Sequence, residues 1–285
     1  MAYPAPEGTE LVRRLGAGTM FDVALVREEG RVLACKRLTP RMVREPIGRA
    51  ALVREAKALS LAKHPSLPSL VRVGSDGHGP FVLETALSGV PLRELVEAWR
   101  ARGKAVPARL AAHVALAAVE ALAEVQELRD EAGPIDLVHG DLGPDHVLVG
   151  PIGDIRFLDF GAARFRGFSP APEGLIAEDR GTLPYVAPEV ARGEAPPSAQ
   201  ADVYALAATL LYLVSGGPIC RARDEATMLV EIGERGVRVD LLDAADALTQ
   251  PERDALRSAL ALDPAARPAS ARALLAAFRG ESAQG

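Results

Sequence analysis

The sequence predicts an α+β fold with two lobes, a small β-rich lobe followed by a larger and mainly helical one. Three apolar runs separated by short turns lie within residues 10–38, which is typical of an antiparallel meander. Later in the chain, apolar residues recur at helical spacing, most clearly in residues 107–131. A length of 285 residues suits one two-lobed domain, and a hydrophobic fraction of 48% supports a sizeable core.

The small lobe should contain a sheet and one helix. Its strands are expected at residues 11–15, 21–26, 32–38, 70–73 and 80–84. Gly16 and Gly18 lie between the first two strands, and because they lack Cβ atoms, backbone N–H groups there could approach phosphates closely. A plain hairpin turn would explain the two glycines equally well, since short glycine motifs are common.

A lysine and a glutamate occupy the apolar faces of neighbouring elements in this lobe. Period-two alternation places Lys36 on the same strand face as Ala34 and Leu38, and Glu55 falls within the apolar stripe of the following helix. Each charge alone is more often a surface charge with a buried stem. Because a charge on an apolar face needs a partner, the two together predict a Lys36–Glu55 ion pair.

The stretch Val138 to Gly161 reads VHGDLGPDHVLVGPIGDIRFLDFG and predicts a β-hairpin with strands at 147–149 and 155–158. Asp141 precedes the first strand, and Asp159 directly follows the second. Since a hairpin brings its ends together, the two carboxylates can face one small volume. Paired carboxylates suit metal-held phosphoryl transfer or acid/base chemistry.

The larger lobe should be built from helices at residues 91–102, 107–131, 202–215 and 270–278. Helix 202–215 is apolar around its whole circumference, which predicts a buried central helix with Asp202 as its N-cap. Residues 162–180 are rich in glycine, proline and charge and predict a mobile loop. The tail, residues 280–285, is expected to be disordered.

The composition argues against several classes of function and location. A net charge of −5 without a basic block predicts no nucleic-acid or membrane partner. The two cysteines do not make a disulfide framework, so a reducing compartment is expected. The polar, proline-rich N-terminus is not a signal peptide, and the longest apolar run, residues 203–214, is shorter than the ~20 residues that span a bilayer. A cytoplasmic protein is therefore predicted.

Residues 139–146, HGDLGPDH, resemble the catalytic loop H-R-D-L-K-P-x-N of eukaryotic-type protein kinases, the family that includes bacterial serine/threonine kinases. Asp159-Phe160-Gly161 matches the magnesium-binding D-F-G of that family. Further similar segments follow the family order: LGAGTMFDV at 15–23, VLACK at 32–36, GTLPYVAPE at 181–189 and DPAARP at 263–268. The resemblance implies a kinase-like domain at 9–279, with an N-lobe at 9–84, a hinge at 84–90 and a C-lobe at 91–279.

The resemblance also implies roles for individual residues. Asp141 would accept the proton of the substrate hydroxyl, Lys36 oriented by Glu55 would hold the α- and β-phosphates of ATP, and Asp159 would bind Mg²⁺ or Mn²⁺. The implied ATP-binding residues are Gly16, Gly18, Val23, Ala34, Lys36, Glu84, Ala86 and Leu148. Leu83 is implied as the gatekeeper at the back of the ATP site, and the main chain of residues 84–86 as the hinge that binds adenine.

The implied substrate-docking residues are Thr182 and Tyr185, with the Thr182 hydroxyl on Asp141. Two further implied contacts are a brace from Asp202 to the backbone of the catalytic loop and a pair between Arg267 and Glu189.

Several positions depart from the family pattern. Gly143 replaces a lysine that would neutralise charge on the transferring phosphate, an effect worth ~3 kcal/mol in the barrier. His146 replaces an asparagine at the second metal position, and imidazole is a poor ligand for Mg²⁺ and a better one for Mn²⁺ or Zn²⁺. Gly140 replaces the arginine that would receive a phosphate, so phosphorylated Ser169 would find no receptor there. Phe21 replaces the third glycine of the glycine-rich loop.

Three functions therefore stay open. The first is an ATP- and metal-dependent serine/threonine protein kinase, slow or preferring Mn²⁺. The second is a pseudokinase that binds nucleotide or a partner and signals by conformation. The third is a small-molecule kinase, since H-G-D-L is similar to the loop of aminoglycoside and choline kinases, although those enzymes keep the asparagine that His146 displaces and generally lack the segment at 181–189. The sequence does not identify the protein substrate or signalling partner.

Overall fold

A computed structural model of the protein describes residues 3–18, 20–168 and 182–281. Within these ranges the strands are β1 (Glu10–Ala17), β2 (Phe21–Glu28), β3 (Arg31–Leu38), β4 (Leu70–Asp76), β5 (Gly79–Thr85), β6 (Val90–Pro91), β7 (Arg129–Asp130), β8 (Gly133–Pro134), β9 (Val147–Val149) and β10 (Ile155–Phe157). The helices are α1 (Pro46–Leu61), α2 (Leu92–Arg100), α3 (Ala108–Gln126), α4 (Pro188–Ala191), α5 (Ala199–Ser215), α6 (Glu225–Arg235), α7 (Gln250–Ala259) and α8 (Ala271–Phe278). Short 3-10 turns lie at Met42–Arg44, Val239–Ala244 and Pro264–Ala266. Ser169, Gly181 and the last four residues lie outside the described ranges, as do most of the predicted mobile loop and most of the predicted disordered tail.

The N-terminal part is an antiparallel five-stranded sheet with the strand order β1-β2-β3-β5-β4. The strands predicted from the sequence all form, and most extend a few residues further than predicted. The β2–β3 connection is a tight turn in which Glu29 and Gly30 both have positive φ angles, of 48° and 79°. Such turns match the right-handed twist of the strands that they join.

The two faces of this sheet carry different cores. The outer face packs against the N-terminal segment, where the Tyr3 hydroxyl donates to the carbonyl of Cys35 at 2.9 Å. The inner face packs against α1 through Phe21, Leu38, Ala51, Leu52 and Val82. Leu83 belongs to the outer cluster with Tyr3 and Cys35, so its prediction as the gatekeeper is wrong. Because side chains alternate along a strand, it is the next residue, Glu84, that faces inward.

The C-terminal part is helical and surrounds α5, in which every residue from Ala201 to Leu213 is buried. The buried central helix was predicted, but its N-cap was not. Ser198 caps α5 by accepting from the backbone N–H of Ala201, whereas Asp202 lies inside the first turn. Both residues lie near the start of the helix in the sequence, but only Ser198, one turn before Asp202, has the geometry of an N-cap.

The helix predicted at 107–131 ends at Gln126, and the chain then forms the small β7–β8 hairpin. A bidentate pair from Arg166 to Asp130 holds this hairpin, at 2.6 and 2.7 Å. Helices α6 and α7 were not predicted. In α6 only Ile232 and Gly233 are buried, so the sequence carries a weak apolar stripe there.

The predicted hairpin at 138–161 forms from β9 and β10, which pair with Leu148 opposite Arg156. The short strand β6, which follows the five-stranded sheet in the chain, adds to the other edge of β9. This three-stranded arrangement places Leu148 against the connection that leads from the sheet to α2. None of the helices in the described ranges is both long enough and apolar enough to cross a membrane.

Candidate active site

A buried ion pair joins β3 to α1. The Lys36 ammonium group donates to Glu55 Oε1, and the side chains of Lys36 and Glu55 are 6% and 0% exposed. Glu55 Oε1 also accepts from the backbone N–H of Phe160 at 3.3 Å. The pair predicted from the two apolar faces is therefore confirmed, and Glu55 connects the helix to the segment after β10 as well.

Lys36 has a second carboxylate nearby. Asp159 Oδ1 lies 3.6 Å from the Lys36 ammonium nitrogen. Burial disfavours the charged ammonium group, but Asp159 and Glu55 outweigh this effect and raise the pKa of Lys36. Lys36 is therefore a permanent cation at the point where β3, α1 and the segment after β10 meet.

Asp159 is held in an unusual backbone conformation, with φ at +66°. The backbone N–H of Gly161 donates to Asp159 Oδ1 at 3.1 Å, which stabilises this local turn. Burial favours the protonated acid, but the charges of Lys36 and His146 prevail and lower the pKa of Asp159. Asp159 therefore stays a carboxylate, with Oδ2 directed toward His146.

Asp141 lies on the other side of His146. The backbone N–H of Thr182 donates to Asp141 Oδ1 at 2.6 Å, so Thr182 meets Asp141 through its main chain, whereas the resemblance implied its hydroxyl group. Asp141 Oδ2 lies 3.6 Å from His146 Nδ1. Burial raises the pKa of Asp141, which makes its carboxylate a better proton acceptor than an exposed one.

His146 stands between the two aspartates. Its Nδ1 lies 2.8 Å from the backbone oxygen of Asp141, and its Nε2 lies 3.9 Å from Asp159 Oδ2. The carbonyl can only accept, so Nδ1 carries the proton, and in the neutral ring Nε2 presents its lone pair toward Asp159. Burial lowers the pKa of His146, but Asp141 and Asp159 more than compensate, and the net effect raises it.

The residues present fit a divalent cation bound with help from a ligand. Asp159 offers carboxylate oxygens, and His146 offers a nitrogen beside them. Within the described residues, no group of three His, Cys, Asp or Glu side chains could hold a metal by itself. A cation at Asp159 would therefore need further oxygen ligands, and phosphates and water are the usual ones.

The backbone of the catalytic loop is fixed from below by α5. Asp202 accepts from the N–H groups of His139 and Gly140 at 2.7 and 2.9 Å, as the resemblance implied. His139 Nε2 lies 2.9 Å from the carbonyl of Leu158, and its Nδ1 accepts from the N–H of Asp141 at 3.3 Å. Burial lowers the pKa of His139 to about 3, so this ring is neutral.

Gly140 has a φ of +80° with the carbonyl of Ala162 close by, a conformation that disfavours any side chain.

A second buried ion pair holds the segment after Thr182. Arg267 donates to both oxygens of Glu189, at 2.8 and 2.7 Å, and the Arg267 side chain is fully buried. Its remaining donors reach the carbonyls of Ala261 and Leu262. Tyr185, the other predicted docking residue, is buried and packs edge-on against Tyr212, with ring centroids 6.3 Å apart.

The predicted ATP-binding residues come from three parts of the space between the five-stranded sheet and the β9–β10 hairpin, which we call the cleft. Ala34 and Glu84 are cross-strand partners in the sheet, and Lys36 follows two residues after Ala34 on the same face. Val23 lies opposite Lys36 on one side and opposite Gly16 of β1 on the other. Gly18 follows β1, and its N–H donates to the carbonyl of Phe21 at 2.8 Å. Leu148 lies on β9, and Ala86 lies just beyond the end of β5. Their roles in binding ATP stay predictions.

Two side chains near this cleft were missed from the sequence. Arg54, the neighbour of Glu55 on α1, is buried and donates to the carbonyl of Gly161 at 2.9 Å. Glu84 was assigned a main-chain role only, yet its side chain is buried among the charged groups of the cleft. The signal for this was in the sequence: Glu84 follows Val82 by two residues, so alternation along the strand places its side chain on the same inward face.

A model of the protein kinase domain matches residues 9–278 of the chain. The chain belongs to the protein kinase domain family. This confirms the predicted family and the two-lobed α+β fold. Protein kinases in general use ATP and a divalent metal ion. The predicted limits of the lobes and the hinge stay predictions.

Bacterial relatives are similar to most of this kinase domain. A probable serine/threonine-protein kinase of Corynebacterium efficiens is 30% identical over 224 residues, which are 76% of this chain and 32% of that protein. The serine/threonine-protein kinase PknB of Mycobacterium tuberculosis is 28% identical over 215 residues, 73% of this chain and 32% of that protein. A probable serine/threonine-protein kinase of Streptomyces coelicolor is 30% identical over 215 residues, 73% of this chain and 30% of that protein. The chain thus spans about a third of the length of the curated relatives it matches.

Proposed function

We propose that this kinase domain is an ATP-dependent serine/threonine protein kinase that transfers the γ-phosphate of ATP to protein hydroxyl groups. The observation that carries the proposal is the arrangement around Asp141. One carboxylate oxygen is held by the Thr182 N–H at 2.6 Å, while Lys36, Glu55 and Asp159 form a charged cluster on the other side of His146. The relatives named as serine/threonine-protein kinases support a protein substrate.

The chain's own residues would act by positioning and by proton transfer. Asp141 Oδ2 would accept the proton of the attacking hydroxyl group, because Oδ1 is occupied by Thr182. Lys36, kept charged by Asp159 and Glu55, would hold the phosphates of ATP. The protein substrate is unidentified, and we propose a cytoplasmic location with no nucleic-acid or membrane partner.

Asp159 and His146 would hold the divalent cation. When bound, the cation neutralises charge on the phosphates. A carboxylate with an imidazole nitrogen is a better ligand set for Mn²⁺ than for Mg²⁺, which prefers oxygen ligands in regular octahedral geometry. We therefore propose that the kinase prefers Mn²⁺.

The activity is tested by transfer of labelled γ-phosphate to myelin basic protein, with Mg²⁺ and Mn²⁺ in separate reactions. Asp141→Asn should reduce transfer by about 10²- to 10⁴-fold and leave ATP binding intact, because only the proton acceptor is lost. Asp145→Asn is the matched control, since Asp145 lies in the same loop but is exposed and pairs with Arg93. Equal transfer by the wild type and Asp141→Asn would refute the proposed role.

The metal preference has its own test, which does not depend on activity. Manganese binding is followed by the loss of the free-ion electron paramagnetic resonance signal, in the presence of a non-hydrolysable ATP analogue. His146→Asn should weaken Mn²⁺ binding and strengthen Mg²⁺ binding, because an amide oxygen replaces the nitrogen. If wild type and His146→Asn have the same ratio of Mn²⁺ affinity to Mg²⁺ affinity, His146 is not a ligand.

The other two functions become outcomes of the same experiments. No transfer, with ATP still raising the melting temperature, would favour a pseudokinase. ATP turnover stimulated by a small alcohol and not by protein would favour a small-molecule kinase.

A further inference from the structure

The side chain of Glu84 is a buried acid without a hydrogen-bonding partner. Glu84 is 3% exposed, and its Oε2 atom is fully buried and makes no hydrogen bond with the described residues. An unpaired buried carboxyl group is strongly destabilising in a folded protein. A ligand that donates a hydrogen bond to the Glu84 carboxyl group would remove this cost.

The position of Glu84 shows where that donor would come from. Glu84 is the cross-strand partner of Ala34, so both side chains project from the inner face of the sheet, toward the cleft. The side chain faces the charges of Lys36 on β3, Glu55 on α1 and Asp159 after β10. Glu84 thus lies at the back of the space between the sheet and the β9–β10 hairpin.

Lys36 does not account for Glu84. The ammonium group of Lys36 already donates to Glu55 and lies 3.6 Å from Asp159. Burial raises the pKa of Glu84 to about 8, and although Lys36 lowers it, Glu55 and Asp159 add to the rise. In either protonation state the carboxyl group keeps an acceptor oxygen, so it gains from an N–H donor in the cleft.

We propose that the carboxyl group of Glu84 accepts a hydrogen bond from the 6-amino group of the adenine base and is a specificity-determining residue of the nucleotide site. This inference rests on the proposed function, because it takes ATP as the ligand of the cleft. The amino group has two N–H donors. One is expected to reach the main chain after β5, and the other is then free for Glu84.

The chemistry predicts a strong preference for a purine with this amino group. A site built to bind a donor discriminates against an analogue that lacks it, because the buried acceptor is then left unpaired. Purine riboside 5′-triphosphate has hydrogen in place of the amino group and is otherwise the same as ATP. It removes the donor without adding an acceptor, so the comparison holds for both protonation states of Glu84.

The test measures the dissociation constants of ATP and of purine riboside 5′-triphosphate by calorimetry, with Mn²⁺ present, for wild type and three variants. Glu84→Met removes the acceptor at similar size, and Glu84→Gln keeps an acceptor oxygen. Leu83→Met is the matched control, since Leu83 faces the outer side of the same strand. The preference for ATP should fall about tenfold or more in Glu84→Met and persist in Glu84→Gln and Leu83→Met.

The outcomes separate this inference from the function on which it rests. A preference for ATP that is the same in wild type and Glu84→Met would overturn the role of Glu84 and leave ATP binding established. Failure of the folded wild type to bind either nucleotide would overturn the proposed function and the inference together. If Glu84→Met fails to fold, equal preferences in wild type and Glu84→Ala would also overturn the inference.

Discussion

Two of the buried clusters of charge in the described part of the chain are built on opposite plans. In the helical part, Arg267 and Glu189 form a closed pair in which both carboxylate oxygens are bonded and the other donors of Arg267 reach carbonyls. In the cleft, Lys36 and His146 face four carboxyl groups, those of Glu55, Glu84, Asp141 and Asp159. The first cluster is complete in itself, whereas the second has an excess of acceptors.

This difference distinguishes a structural ion pair from a site for chemistry. A closed pair gains nothing from a ligand, and its value lies in holding two segments together. An open cluster is costly until cations or N–H donors arrive, and ATP with a divalent metal ion supplies both. Mutations should therefore reduce stability in the first cluster and nucleotide chemistry in the second.

The largest effect on stability is expected for Arg267→Met. Removing one partner leaves the Glu189 carboxylate buried and unpaired, which should cost about 3–5 kcal/mol in the free energy of unfolding. Urea denaturation of the single variant and of Arg267→Met with Glu189→Leu measures this cost. The double variant should recover part of the loss, and a single variant within about 1 kcal/mol of wild type would contradict the structural role of the pair.

A comparably large effect, but on chemistry, is expected for Lys36→Met. Loss of the cation should reduce phosphoryl transfer about a hundredfold, which corresponds to about 2.7 kcal/mol in the barrier. Stability should change less than in Arg267→Met, because burial already raises the pKa of Glu55 and allows it to become neutral. Lys57→Met, an exposed change on the same helix, is the control for both measurements. If Lys36→Met lost as much stability as Arg267→Met, the cleft cluster would be a structural ion pair like that of Arg267 and Glu189.

An effect that is absent at neutral pH and grows as the pH falls is expected at His139, whose ring stacks beside that of His146 in the cleft. Its folded-state pKa of about 3 lies below the usual value of 6.5, so the unfolded chain binds the extra proton as the pH falls. The stability from neutral His139 is present above pH 6.5 and is lost as the pH falls toward about 3. His139→Phe should therefore flatten the pH dependence of the unfolding free energy by about 1.4 kcal/mol per pH unit in this window. Urea melts at a series of pH values test this, and parallel curves for the two proteins would refute it.

The smallest effect is expected for an exposed pair. Arg272 and Glu127 form two hydrogen bonds at 2.9 and 2.5 Å, but both side chains are about half exposed. Arg272→Ala should change the free energy of unfolding by less than about 1 kcal/mol, and salt should reduce the difference further. A cost close to that of Arg267→Met would show that burial is not what separates the two kinds of pair.

Much of the site could be predicted because charge on an apolar face is easy to detect. Lys36 and Glu55 were placed correctly by strand and helix periodicity, and the β9–β10 hairpin was placed by its turn residues. The five strands of the sheet also follow from alternation and glycine turns. In these places local pattern and tertiary packing agree.

The errors have local physical causes. Taking Leu83 as the gatekeeper was an error of one residue, and in a strand that moves a side chain to the opposite face. The early end of α3 at Gln126 has no glycine or proline signal, and the Arg166–Asp130 pair that holds the following hairpin is a long-range contact. Thr182 was expected to reach Asp141 through its hydroxyl group but donates from its main chain, which any residue could do. Contacts of this kind leave little trace in a sequence.

The carboxyl group of Glu84 also matters for inhibitors designed to enter the cleft. A protonated amine at the depth of Glu84 would lower the pKa of this acid from about 8 and form an ion pair with it, and the interaction would be strong because water is largely excluded. A compound that presents a bare aromatic edge would bury the same acid without a partner. A selective ligand of this kinase domain could therefore be built on one basic nitrogen placed against the inner face of β5.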